Sequence, residues 1–330
     1  MSMRPFRLPA DLPLLMKLLP PTFEYPDHPE WSLQADEAES FLKMIKTARQ
    51  LWPLIFLLGR VSPAMRDVLH GFIWEEDGQP VGVVNVSRDG ASDDWIIANV
   101  GVLPAYRKRG IARQLVTAAV NFARERRARL VLLDVVAGNV PAYDLYASLG
   151  FAHFSSHVQL RHEVPAPIAE GTPASGYTAT ACSPQTWRPY YELARRITPA
   201  EVQQYRPIAK QQFHLPASLR MVLSLLNGLS GVRERGLLVR AADGQVVATI
   251  RLSAHVRGGG INSCTVQLDP AHGELAPYLT QYVLHTLQRL SPKNRIEWHI
   301  PSWETALIAA AKAQEFSEVC EFHSMGMKLS

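Results

Sequence analysis

The sequence predicts an α/β protein, a mixed sheet flanked by helices, written twice along one chain. Three observations carry this. Short apolar strands alternate with helical stretches in each half. The length of 330 residues suits two domains at roughly 100–200 residues each. Landmarks of the first half also recur in order in the second: Asp77-Gly78-Gln79-Pro80-Val81 returns as Asp243-Gly244-Gln245-Val246-Val247, an offset of 166 that also carries Val100 onto Val266, Pro104 onto Pro270 and Ala105 onto Ala271. One residue less carries Leu130–Val135 onto Arg295–Ile300 and Phe151 onto Phe316. Agreement at separated landmarks in one order is the mark of a duplicated domain.

Each element of the first half has a local reason. Met3–Leu8 reads as a short strand, and a helix opens at Asp11, whose carboxylate is placed to cap the LPLLMKLL run. Phe41, Met44, Ile45 and Ala48 fall at helical spacing in a stretch around Ala35–Leu51. Asp77-Gly78 separates the apolar runs His70–Glu75 and Val81–Ser87, a hairpin signal because both turn residues tolerate positive φ. Trp95–Leu103 is a third strand, followed through Pro104 by a basic turn and a long helix, Ile111–Arg127. Leu130–Val136 is a continuous apolar strand interrupted by Asp134. Asn139 and Pro141 start a short helix that ends at Gly150, since proline in the first turn loses no hydrogen bond and glycine suits a left-handed C-cap. The stretch Val164–Ser175, rich in Pro, Ala, Gly and Thr, has no apolar period and reads as a linker. The expected division is therefore residues 1–163, a linker over 164–176, and residues 177–330.

Composition narrows the function classes. With 47% hydrophobic and 19% charged residues, each half can bury a core. The longest apolar run, Leu51–Gly59, is broken by Pro53 and falls short of the ~18 residues a membrane span needs. Pro5, Pro9, Asp11 and Pro13 interrupt any signal-like core behind Arg4 and Arg7, so a cytoplasmic protein with no membrane partner is expected. Cys182, Cys264 and Cys320 are far apart and lack CxxC spacing, which indicates reduced, buried thiols rather than disulfides or a zinc site. A net charge of +4, without a basic patch interleaved with aromatics, does not mark a nucleic-acid binder. It suits an anionic ligand.

The chemistry is concentrated in Val100–Ala112, VGVLPAYRKRGIA. A strand (Val100, Gly101, Val102) runs into a turn that Gly110 and Ala112 keep small, and a helix starts at Ile111. The first N–H groups of a helix are unpaired and its dipole adds about half a positive charge, so a pyrophosphate is the natural guest, with Arg107, Lys108, Arg109 and Arg113 as surrounding cations. The spacing fits neither a Walker A loop nor GxGxxG.

Arg107-x-x-Gly110-x-Ala112 instead resembles the R/Q-x-x-G-x-G/A signature of the GCN5-related N-acetyltransferases. Downstream, Asn139-x-x-Ala142-x-x-Leu145-Tyr146-x-x-x-Gly150-Phe151 matches that family's second motif. The resemblance covers residues 1 to about 160 and reaches the second half only through the repeat. It implies that acetyl-coenzyme A enters a V-shaped opening between Trp95–Leu103 and Leu130–Val136, pairing with backbone near Val100–Val102, and that a neutral amine attacks the acetyl carbon directly. Tyr146 stands at the family's usual acid position; alternatively its ring only packs against coenzyme or sheet. Asp134 resembles the strand carboxylate that acts as base in ribosomal-protein N-terminal acetyltransferases, where Glu is usual, so the shorter Asp needs a bridging water; alternatively it only orders the site. Glu75, Glu76 and Asp94 are rivals, read as solvated turn charges. The implied acceptor is a small-molecule or peptide amine, the assembly a monomer or homodimer, and no metal is required. Double-length members that keep one working half include enzymes acting on small amines. A coenzyme-A-responsive sensor or scaffold without turnover is the other class of function.

Other features read as structural. His153 and His157 share a strand face but lack a third metal ligand. Arg124, Arg126, Arg127 and Arg129 crowd a helix end, read as solvated and favoured by its dipole. Trp31, Phe41, Trp52 and Phe56 belong to lid or core packing, or line an acceptor pocket. In the second half the positions of Arg107, Lys108, Arg109, Gly110 and Ala112 hold Gly273, Glu274, Leu275, Ala276 and Tyr278, while Asn139 and Tyr146 become Glu304 and Ala311. That copy is expected to be a degenerate domain. His299 replaces Asp134 there and reads as a packed strand histidine.

Overall fold

The computed structural model describes residues 2–25, 28–32, 42, 45–60, 66–90, 92–163, 167–183, 186–214, 220, 224, 227–228, 231–256 and 260–329. In chain order the elements of the first half are β1 (Ser2–Pro5), α1 (Leu12–Thr22), α2 (Trp52–Gly59), β2 (His70–Glu76), β3 (Gln79–Arg88), β4 (Asp94–Val102), α3 (Ile111–Glu125), β5 (Leu130–Val136), α4 (Val140–Ser148) and β6 (Ala152–His162). Those of the second are β7 (Tyr177–Cys182), α5 (Arg188–Ile197), α6 (Ala200–Tyr205), β8 (Val232–Ala241), β9 (Val246–His255), β10 (Asn262–Leu268), α7 (Ala276–Leu290), β11 (Ile296–Pro301), α8 (Thr305–Ala313) and β12 (Ser317–Lys328).

The chain forms two units, Met1–Phe154 with His323–Ser330, and Ser155–Phe322. This differs from a division at residue 163. The change of unit falls within β6 and again within β12, so the last eight residues belong to the first unit and Ser155–His162 to the second.

In the first unit, strands β1 to β5 are neighbours in chain order, antiparallel except for the parallel β4–β5 pair. The end of β12 supplies the next strand beside β5. Ser324 donates to Asp134 (2.6 Å), the Leu329 N–H donates to the Arg129 carbonyl (3.0 Å), and Met325 is fully buried. Asp77 and Gly78 both take positive φ (49° and 75°), so the β2–β3 hairpin forms as its dipeptide predicts. One sheet face packs against α3, whose Ile111, Leu115, Val116, Ala119, Val120 and Ala123 recur at helical spacing and are buried with Val84, Val86, Val131, Leu133 and Val135. Each such branched aliphatic contributes about 1.5–3 kcal/mol by leaving water. The opposite face carries Val83 under Leu12, Leu15, Leu18 and Leu19 of α1. Ile45 joins this cluster from a helical stretch over 45–50, whereas Phe41 and Met44 lie outside the described residues.

Several charges depart from the expectation. Asp11 does not cap α1: it accepts from the Arg7 N–H (2.6 Å) and from Arg4 (2.7 Å), a salt bridge that ties the helix start to β1. The rivals read as solvated turn charges are paired instead. Glu75 bonds Arg4 (2.7 Å), Glu76 is buried beside Arg109 (3.4 Å), and Asp94, with no exposed surface, accepts two bonds from Arg129 (2.7 and 2.9 Å). Nor is the arginine-rich end of α3 simply solvated, because the Arg126 guanidinium lies 3.4 Å from the Phe122 ring centroid.

The second unit repeats the plan. Strands β7 to β10 are antiparallel neighbours, β10–β11 is parallel, and residues 157–162 of β6 pair antiparallel with β11. Helix α7 buries Leu279, Val283, Leu284 and Leu287 against Val247, Ile250, Val266 and Trp298. Ile168 and Ala169 of the linker are held along α7. Ile168 packs on this core, its carbonyl bonds His285 (2.7 Å), and the Ala169 carbonyl accepts from Gln281 (3.1 Å). His299 is exposed rather than packed, its ring 5.3 Å from that of His157. The three cysteines are free, with Cys264 buried and the others half-buried. Among the described residues no helix is long and apolar enough to cross a membrane.

Candidate active site

The site is built where β4 leaves β5. Their parallel register holds for Asp94–Ile96 against Leu130–Leu132 and is absent beyond it. On the other side of β4 the register with β3 shifts between Val83 and Asn85, opposite the bulge at Asn99, which takes a left-handed φ of 52°. A bulge adds a residue to one strand and bends it. Here it turns Val100, Gly101 and Val102 away from β5 and leaves a V-shaped opening. Gly101 is required, because a Cβ there would lie 2.4 Å from the Thr22 hydroxyl of α1.

After Val102 a tight turn over Pro104–Tyr106 leads into Arg107, extended, and then Lys108 and Gly110, both left-handed (φ 62° and 75°), before α3 starts at Ile111. Gly110 is the N-cap and offers no side chain to the first amides of the helix, and an added Cβ would meet no atom within 4 Å. The first turn of α3, with Ile111, Ala112 and Arg113, is thus an open cradle of N–H donors fitted to an anion.

The four cations differ in role. Arg107 is committed to the scaffold: it donates to the carbonyls of Val102 (3.2 Å) and Thr22 (3.1 Å) and its guanidinium lies 5.4 Å from the Tyr25 ring centroid. Arg109 spans Glu76 and the Ala105 carbonyl, and Arg113 donates to Ser148 at the end of α4 (2.7 Å). Lys108 is exposed.

Across the opening, Asn139 caps α4 by accepting from the Ala142 N–H (3.3 Å). The helix so positioned buries Tyr146 in the core beneath α3, 7% exposed, its ring against Phe151. Burial, aided by Tyr25, raises its phenol above the ordinary value near 10. It therefore stays protonated at neutral pH. Asp134 lies two residues past the end of the β4–β5 pairing. Leu133 and Val135 are in the core under α3, so strand alternation turns Asp134 to the opposite face, where it is exposed and accepts from Ser324. An acid-capable phenol and a carboxylate thus flank one strand from two faces.

One feature of the site escapes the sequence. Asn85, buried on the α1 face of β3 beside the bulge, has an Oδ1 with no hydrogen-bond partner among the described residues. Trp31 reaches the β5–α4 turn, 3.2 Å from where a Cβ on Gly138 would stand, and stacks on His28 (3.7 Å between centroids). Trp52 packs under α1, Phe56 is exposed, and Phe41 lies outside the described residues. His153 and His157 fall in different units: His153 packs with His323 and Tyr143, His157 with Phe322.

The corresponding place in the second unit has no cradle. The turn over Pro270–Leu275 runs directly into α7 with no left-handed residue, and Glu274 there is bonded to Tyr177, which also bonds His272 (2.7 Å). Beyond the β10–β11 pairing, Glu304 is buried, and that burial raises its carboxyl to about 7.

Comparison with known proteins agrees with this geometry. Residues 16–151 match the model of the Acetyltransferase (GNAT) family. The chain is 38% identical over 76 residues to streptothricin acetyltransferase of Streptomyces lavendulae, covering 23% of this chain and 40% of that protein. It is 38% identical over 92 residues to mycothiol acetyltransferase of Corynebacterium glutamicum (strain ATCC 13032), covering 28% and 30%. It thus spans less than half the length of these relatives. A tandem GNAT protein from the clavulanic acid biosynthesis pathway shares the fold at a TM-score of 0.62 and 16% identity, over 99% of this chain and 98% of that one. The family match falls on the unit that holds the splayed strands and the glycine-capped helix, so it is this first unit that carries a GNAT-family domain.

Proposed function

We propose that the first unit transfers an acetyl group from acetyl-coenzyme A to a primary amine of a small molecule or peptide. The observation that carries this reading is the splay of β4 from β5, running into the left-handed loop and open amides at the start of α3. The splay exposes backbone groups suited to an amide-bearing arm, and the helix start suits a pyrophosphate. Val100, Gly101, Val102, the 107–113 loop, Asn139 and Ala142 form the coenzyme side.

Acetyl-coenzyme A supplies an activated acyl carbon on a thiol leaving group. The neutral amine attacks that carbon, a C–N bond forms and the C–S bond breaks. Tyr146 gives its proton to the departing sulfur, and the proton shed by the amine passes to Asp134, through a water given the short side chain. Asn85 Oδ1, buried and without a partner among the described residues, accepts an N–H of the incoming amine. The small-amine reading is supported by the two acetyltransferase relatives; a peptide N-terminus is supported by Asp134 and by 38% identity over 76 residues to N-alpha-acetyltransferase RimI of Mycobacterium tuberculosis, 22% of this chain and 46% of that protein.

The test is thiol release from acetyl-coenzyme A with a panel of amines and N-terminal peptides, alongside coenzyme binding by calorimetry. Turnover that Tyr146→Phe abolishes while affinity persists supports the enzyme. Tight coenzyme binding without turnover on any acceptor favours a sensor or scaffold.

A further inference from the structure

The second unit lacks the coenzyme cradle but has a cavity of its own, about 700 Å³, between β8–β10 and the described residues Trp187, Gln212, Phe213, Arg220, Asn227 and Gly228. That volume is in the range of small-molecule sites, roughly 300–1,000 Å³. Trp187 and Phe213 give it aromatic walls, Arg220 and Arg251 give it positive charge, and Ser263 and Thr265 line it from β10. One carboxylate, Glu234, lies on the lining and is engaged by Asn227 (3.1 Å).

Arg251 is the informative group. Its guanidinium is held 4.0 Å from the Tyr190 ring centroid, and that ring is fixed by donation from its hydroxyl to the Ile250 carbonyl (2.8 Å). Its Nε is buried and has no hydrogen-bond partner among the described residues. Arg251 itself lines the cavity, and a cation there is best complemented by an anion. A planar guanidinium matches a carboxylate, and the neighbouring aromatic rings suit an apolar or aromatic body.

We propose that the second unit binds a small organic carboxylate with an aromatic or apolar body, its carboxylate on Arg251 and its body between Trp187 and Phe213. This site is separate from the acetyl-transfer reading and does not depend on it.

The test is fluorine NMR line broadening on the full chain with 4-fluorophenylacetate and 4-fluorobenzoate, each against its neutral amide. The expected result is saturable binding of at least one acid, at least tenfold tighter than its amide. Binding should be undiminished by saturating coenzyme A and weakened at least tenfold by Arg251→Met. Trp187→Leu, on the cavity wall, and Arg251→Lys, which keeps the charge but loses the fork, give the same reading should Arg251→Met fail to fold. Absence of binding by either acid, equal binding of acid and amide, or acid binding unchanged in these variants overturns the proposal.

Discussion

Tyr146 and Glu304 show how burial acts differently on two ionisable groups. For Tyr146 it raises the phenol, which keeps the proton an acid must donate. Tyr146→Phe is expected to lower kcat by about 10²–10⁴, the usual range for general acid catalysis, with little change in the KM for acetyl-coenzyme A, in steady-state assays. Glu304 is pushed up from 4.5 to about 7, chiefly by burial, and the consequence is for stability. Below about pH 4.5 both folded and unfolded chains hold the proton. Between there and pH 7 the unfolded chain ionises first, so stability falls as pH rises and then levels off. Glu304→Gln keeps the shape of the side chain and removes the charge. It should be more stable than the parent at pH 8 by up to about 3 kcal/mol, with the two converging towards pH 4.5 in denaturant titrations.

Among elements, α3 and the β4 bulge decide what can bind. Gly110→Glu places a charge at the helix start, in a left-handed position a side chain disfavours. Calorimetry should show at least a tenfold loss of acetyl-coenzyme A affinity, and unchanged affinity would remove the cradle from the reading. Asn85→Leu separates structure from function. Replacing a buried amide whose oxygen has no partner among the described residues by an apolar group should leave the melting temperature unchanged or higher, yet raise the amine KM about tenfold. An unchanged KM would confine Asn85 to packing.

The same elements show what the sequence made legible. Asp77-Gly78, Gly110, the Asn139 cap and Gly150 were readable because each demands a specific backbone angle or a local bond, fixed within a few residues. Side-chain partners across the sheet were not. Asp11 turned from its helix to Arg4, Asp94 found Arg129 thirty-five positions away, and Arg107 spent its charge on backbone carbonyls. Asn85 gave no signal, since a lone polar residue in an apolar strand acquires meaning only when the bulge across from it is known.

For the whole molecule, the repeat foretold two similar units but not where each one ends. Periodicity marks His153–His157 as part of a strand and says nothing of its partners or of β12, so the allotment of the last eight residues to the first unit was invisible. Removing residues 323–330 takes away Met325, the donor to Asp134 and the Leu329 bond to Arg129. The truncated chain should lose acetyl transfer and show a destabilised first unit by hydrogen exchange at β5, while the second unit retains its protection.

A consequence follows for synthesis. The residues that complete the first unit are translated only after the whole second unit, a delay on the order of ten to thirty seconds at about 5–20 residues per second. During that interval β5 presents an unpaired apolar edge, the kind of surface that invites aggregation. The usual order, in which the leading domain folds first, is reversed here: the nascent first unit must be held, by a chaperone or by slow collapse, until its missing strand emerges.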